Sequence, residues 1–189
     1  MQKALLLITL ICTVSLLYPQ EKITVSNILI NGNNVTKAEI ILRELTFSKN
    51  SSFTTKELNE VVEKSKQNLI NLKLFNFVEI LTHIEDTNVK IVIDVTERWY
   101  FWPYPILEVS ERNFNSWWNE FSSSNYSDFS RLNYGVFFNW ENFRGRNELL
   151  LFKIRKGFKE HYLFSYQVPY FNQNKTIGIN TNLQLFRRK

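Results

Sequence analysis

With 189 residues, 44% of them hydrophobic, and a formal net charge of +5, the chain has room for one or two domains with a real core. Its single cysteine, Cys12, lies in an N-terminal apolar run, and His83 and His161 stand alone. That excludes a Cys/His metal spacing and leaves a mature chain without thiols, as an envelope compartment favours.

The charge is unevenly placed. Residues 22–98 carry ten basic and ten acidic side chains, and residues 131–189 carry eleven and three. The basic groups of the last third fall at strand ends, turns and one alternate face. A polar lumen or anionic lipid head groups explain that placement better than nucleic acid does.

Residues 1–20 read as a signal peptide: Lys3 supplies the positive start and Ala4 to Leu17 the apolar run, too short for the roughly 20 residues of a spanning helix. Ile23 to Asn31 alternates as a strand, and Asn31-Gly32-Asn33-Asn34 is a turn of residues that accept positive φ. Thr36, three residues before Glu39, predicts a capping box opening a helix to about Leu45. Thr54 or Thr55 caps a second helix, whose Leu58, Val61, Val62, Ser65, Leu69 and Leu72 recur at helical spacing. Phe75 to Ile84 and Val89 to Thr96 alternate as two strands around a hairpin at residues 85–88. The order is β-α-α-β-β, a sheet covered on one face by two helices.

Three stretches of this module carry a resemblance: Ile28 to Asn33, the run LINLKLF at Leu69 to Phe75, and VKIVIDVTE at Val89 to Glu97. With them, residues 22–97 resemble a POTRA domain, the periplasmic domain that precedes the barrel in the outer-membrane-protein assembly family that includes BamA and TamA.

The window Val95 to Trp118 follows, with Trp99, Trp102, Trp117 and Trp118 among the five tryptophans, and Tyr100, Phe101, Tyr104 and Phe114 between them. Tryptophan and tyrosine suit a boundary that is apolar on one side and wet on the other, so the window reads as a joint at a membrane surface. An aromatic core of a soluble domain would give the same composition. Beyond it, Asn133 to Asn142, Glu148 to Lys156, His161 to Tyr170 and Thr176 to Phe186 alternate in twos, one side apolar and the other polar or small. Each is about the nine to eleven residues of a tilted membrane strand. A soluble sandwich alternates in the same way; the leader, the aromatic window and the resemblance favour the membrane.

The resemblance implies an α+β POTRA domain followed by antiparallel strands of an incomplete transmembrane β-barrel. Residues 98–130 would then hold the joint, a first barrel strand at Pro103 to Arg112 and an outer loop at Phe114 to Ser130, and residues 131–189 the next barrel strands. It further implies residence in a bacterial outer membrane with the POTRA domain in the periplasm. The expected partners are unfolded outer-membrane-protein clients, outer-membrane lipids and periplasmic accessory lipoproteins, not nucleic acid; no cofactor or enzymatic activity is expected. Clients would add to the edge strand Phe75 to Ile84, at Phe77, Glu79, Leu81 and His83, by β-augmentation. The first barrel strand would form a weak seam at Pro103, Pro105, Leu107 and Val109, where two prolines remove ladder donors, although a bent connector would also use them. Glu97 and Arg98 could form a catalytic pair, a solvated ion pair or a domain-orienting contact. Because five strands cannot close a barrel, and open edges in hydrocarbon cost several kcal/mol per unpaired group, a truncated product is expected. A secreted soluble binding or adhesion protein is the alternative; a barrel-borne enzyme finds no Gly-x-Ser-x-Gly motif.

Overall fold

The computed structural model describes residues 22–110, 113–170, 172 and 175–188. The expected leader at residues 1–20 and Arg112 at the end of the expected first barrel strand lie outside the described residues. In the first unit, β1 (Lys22–Asn31), α1 (Ala38–Leu42), β2 (Ser52–Thr54), α2 (Thr55–Asn71), β3 (Phe75–Glu85) and β4 (Asn88–Glu97) form a sheet in the order β2-β1-β4-β3 with two helices. β1 runs parallel to β4, which needs the helical crossover between them. β3 and β4 form the expected hairpin.

Alternation along the strands sends Val25, Val89, Ile91 and Ile93 to one face, where they are fully buried with Ile41, Leu58 and Leu69 of the helices. Thr54 caps α2 in a reciprocal box: its hydroxyl accepts from Glu57 N at 3.3 Å, and Glu57 Oε2 accepts from Thr54 N at 2.9 Å, an arrangement worth about 1 kcal/mol. The three-residue β2 is an addition, too short and polar to read from periodicity. The box expected at Thr36 and Glu39 does not form. α1 starts at Ala38 behind Lys37, with no side-chain cap bond, because the buried Thr36 hydroxyl is committed to the joint described below.

The second unit is a five-stranded antiparallel sheet in the order β5-β6-β7-β8-β9: β5 (Phe101–Val109), β6 (Leu132–Phe143), β7 (Glu148–Gly157), β8 (Lys159–Val168) and β9 (Ile179–Arg188). The stretch Phe114 to Ser130, expected as a loop, holds the helix α3 (Phe114–Ser123). Asn113 Oδ1 accepts from Asn115 N at its start. Phe114, Trp117, Trp118 and Phe121 then share one stripe by their spacing, with Trp117 and Phe121 stacked at 5.0 Å. The tryptophans of the window thus fall into two clusters separated by β5. Trp99 and Trp102 flank the start of β5, and Trp117 and Trp118 lie beyond its far end, about 30 Å away at 3.4 Å per residue.

Register lines up the apolar sides. Pro103, Phe138, Phe152, Phe164 and Leu183 form one row across all five strands, and Pro105, Val136, Ile154, Tyr162 and Leu185 the next. The opposite face carries Asn139, Lys153, Arg155, Ser165, Asn182 and Gln184 among Trp102, Tyr104, Phe137, Leu151 and Leu163. On β7 the apolar band runs between Glu148 and Lys156. Eight residues of strand give about 27 Å of length, or about 21 Å of height at a 40° tilt, somewhat short of the roughly 25 Å band of known barrels. No second sheet covers this face among the described residues: Phe152, Phe164 and Leu183 are 37%, 42% and 63% exposed. No described helix is long and apolar enough to cross a membrane.

Candidate functional site: two open edges and a buried joint

β3 pairs with β4 alone, so its other side is an edge. In β4, Thr87 O accepts from Thr24 N, just before the strand, and Val95 O lies against Gly32, whereas Arg98 N donates to Leu74 O ahead of β3. Odd-numbered residues of β4 thus address β1 and even-numbered ones address β3. The β3 residues opposite the even set are Phe77, Glu79, Leu81 and His83, so their backbone groups are spent on β4. The outward backbone groups belong to Val78, Ile80, Thr82 and Ile84. Phe77, Glu79, Leu81 and His83 instead present exposed side chains on the helix-free face of the sheet, with Phe77 75% exposed. Leu81 stands in a row with Val92 and Leu29 there.

β5 is one edge of the second sheet, and β9 is the other among the described residues. Ser110 N donates to Arg131 O at 2.9 Å, and Tyr100 O accepts from Glu141 N at 2.8 Å; alternation from these bonds turns even-numbered residues of β5 toward β6. Pro103, Pro105, Leu107 and Val109 therefore point their backbone nitrogens to the open side. The pairing with β6 runs without a register shift from Phe101 to Val109, so the prolines are not a bent connector. They leave the free edge short of two donors without weakening the ladder behind it.

Sequence reasoning missed what joins the units. Thr36, Tyr100 and Asn142 are 1%, 7% and 1% exposed. Asn142 Nδ2 donates to Thr36 Oγ1 at 2.8 Å, the Thr36 and Tyr100 hydroxyls are 3.2 Å apart, and Tyr100 OH donates to Leu74 O at 2.7 Å. Each hydroxyl has one proton, so the order is forced: Asn142 to Thr36 to Tyr100 to Leu74. Burial pushes the Tyr100 phenol pKa up. Around this relay, Lys37 N donates to Gly145 O at 2.9 Å. A Cβ at Gly145, whose φ is +74°, would lie 2.0 Å from Val35 O, so only glycine lets the β6–β7 turn come this close.

Glu97 and Arg98 do not pair with each other. Glu97 accepts from Val35 N and Thr36 N at 2.9 and 2.5 Å, and Arg98 pairs with Glu141 of β6. Of the readings open for them, Arg98 makes the domain-orienting contact, whereas Glu97 stays within the first unit. For the buried relay itself, the sequence offered only a threonine that looked like a helix cap. Among the described residues no group of His, Cys, Asp or Glu could hold a metal.

The fold defines a class: an α+β domain with an open edge, joined rigidly to barrel-type antiparallel strands whose apolar side is unclothed. Residues 23–98 match the family model described as POTRA, surface antigen variable number repeat, so the first unit is a POTRA domain. BamA from Haemophilus ducreyi lacking POTRA domains 1–3 superposes on 88% of this chain with a TM-score of 0.62 at 18% identity. The likeness is one of fold, and the chain spans 28% of that BamA chain. CdiB from Acinetobacter baumannii gives a TM-score of 0.43 at 13% identity over 79% of this chain and 26% of that one. CdiB from Escherichia coli gives 0.44 at 10% over 80% and 26%. Curated proteins give no match.

Proposed function

We propose that this chain is part of an outer-membrane assembly or translocation component that works by strand templating and not by catalysis. Its POTRA domain would lie in the periplasm of a bacterial envelope, and its apolar sheet face would meet lipid. The observation that carries the reading is that two of the four edge strands among the described residues, β3 and β5, lie in units linked by a buried joint. An unfolded outer-membrane-protein client would add to the outward backbone groups of Val78, Ile80, Thr82 and Ile84. The side chains of Phe77, Glu79, Leu81 and His83 would line the face beside it. The donor-poor edge at Pro103, Pro105, Leu107 and Val109 would act as the seam at which client strands meet the bilayer. Accessory lipoproteins would have the helix-free row Leu29, Val92 and Leu81 as a docking face.

The test is proline substitution at the outward positions. In the full chain, Thr82→Pro with Ile84→Pro should weaken capture of an extended peptide from a barrel protein's terminal strand while near-UV circular dichroism holds. Leu81→Pro should instead strip β3 from β4. Unchanged capture in the double variant would remove the edge from the mechanism.

A further inference from the structure

At the end of the apolar band where the POTRA domain meets the sheet, α1 and the sheet wall enclose an open groove of about 680 Å³. Its sheet side is Tyr166, Val168 and Ile179, the last turns of the lipid-directed face, with Tyr170 just beyond β8. Its rim holds Arg43, Arg144 and Arg146. Arg144 is taken: it donates to Glu148 at 2.9 and 3.0 Å. Arg43 is not. Its side chain is only 10% exposed, its Nε is buried without a hydrogen-bond acceptor among the described residues, and its guanidinium stands 5.7 Å from the Tyr170 ring centre. Glu44 Oε1, 3.6 Å from that Nε, is too far for a hydrogen bond, and Glu44 Oε2 is committed to Lys175. A slight shift would let Glu44 close on Arg43, yet one carboxylate would still face two cations. Arg146 is exposed on the same rim.

We infer that this groove is a seat for the phosphodiester of a membrane phospholipid, held by Arg43 and Arg146 with its acyl chains running up the Tyr166, Val168 and Ile179 wall. The inference deepens the proposed function, because it rests on the apolar face meeting lipid. Charge agrees: three arginines against Glu39 and Glu148 leave the lining at one positive charge, the complement of one phosphodiester. Guanidinium suits the phosphate because its fork donates to two oxygens at once. Continuity between the arginine rim and an apolar wall, at the level where head groups lie, favours a lipid over a free anion.

The full chain in maltoside micelles can be titrated with phosphatidylglycerol, with the matching diacylglycerol and with inorganic phosphate, and binding read by native mass spectrometry. Phosphatidylglycerol should bind saturably and at least tenfold tighter than diacylglycerol, and inorganic phosphate should not displace it at equal concentration. Arg43→Gln with Arg146→Gln should lose at least tenfold, Arg146→Gln alone several-fold without any effect on folding, and Lys153→Gln on the other face nothing. Equal binding of the two lipids, displacement by inorganic phosphate, or variants that bind like the parent would overturn the site. A fluorophore on Leu183→Cys, in a Cys12→Ser background, separates the two failures. Quenching by brominated acyl chains without head-group selectivity sinks the groove alone, and no quenching sinks the lipid-facing reading and the groove with it.

Discussion

Thr36→Val keeps the shape of a side chain that is 1% exposed and deletes the middle of the relay between the two units. Asn142 Nδ2 loses its acceptor at 2.8 Å, and the Tyr100 oxygen loses the hydroxyl 3.2 Å away. A buried donor left without a partner costs about 1–3 kcal/mol. At about 1.4 kcal/mol per decade, opening of the joint should become roughly 5- to 150-fold more frequent. Hydrogen exchange reads this residue by residue. The amides of Lys37, bonded to Gly145 O, and of Asn147, bonded to Asn142 Oδ1 at 2.8 Å, should lose that much protection, and Ile91 in the POTRA core should lose none. Tyr100→Phe should cost a similar amount, about 1–3 kcal/mol, because the buried Thr36 hydroxyl loses its acceptor, while Leu74 O keeps a second donor in Arg98 N at 3.2 Å. Unchanged exchange at Lys37 and Asn147 in Thr36→Val, or in Tyr100→Phe, would refute the relay as the element that holds the units together.

Other consequences are open to direct measurement. The Glu57 carboxyl is held below the ordinary glutamate value of 4.5, first by the Thr54 backbone N–H and then by its hydroxyl. A folded pKa below the unfolded one means that the cap's contribution is complete above 4.5 and lost as pH falls through the folded value. The Thr54 amide shift should therefore titrate with a midpoint below 4.5, and a midpoint at or above it would contradict the box. On the sheet, Phe152→Arg places a charge mid-row on the apolar face and should cost about 2–4 kcal/mol of insertion into vesicles, read by flotation. Lys153→Arg, one residue along on the opposite face, should cost nothing measurable, and equal effects would mean the faces are misassigned.

The elements were legible wherever periodicity was long and unmixed. The α2 stripe and its Thr54 cap, the hairpin at residues 85–88 and the alternating runs of β6 to β9 follow from side-chain spacing, because burial on one face selects residues every two or every three to four positions. The prolines of β5 could be read as edge or connector from composition, and only the hydrogen bonds of Ser110 and Tyr100 decided between them. Spacing also could not say which β3 backbone groups face outward. That depends on which side of β4 addresses β1, a parity set 60 residues away in the chain.

By itself the sequence determined a two-layer α+β domain, a run of strands with one oily side, and their order. Tertiary structure alone decided that Thr36 serves a joint and not a helix cap, that the tryptophans form two clusters separated by a strand, and that Arg43 lies buried between Glu44 and an apolar wall. The reason is common to all three. A side chain's local pattern fixes which way it points, whereas its partner is chosen by whatever polar group a distant element brings within about 3 Å, and no nearby residue carries that information.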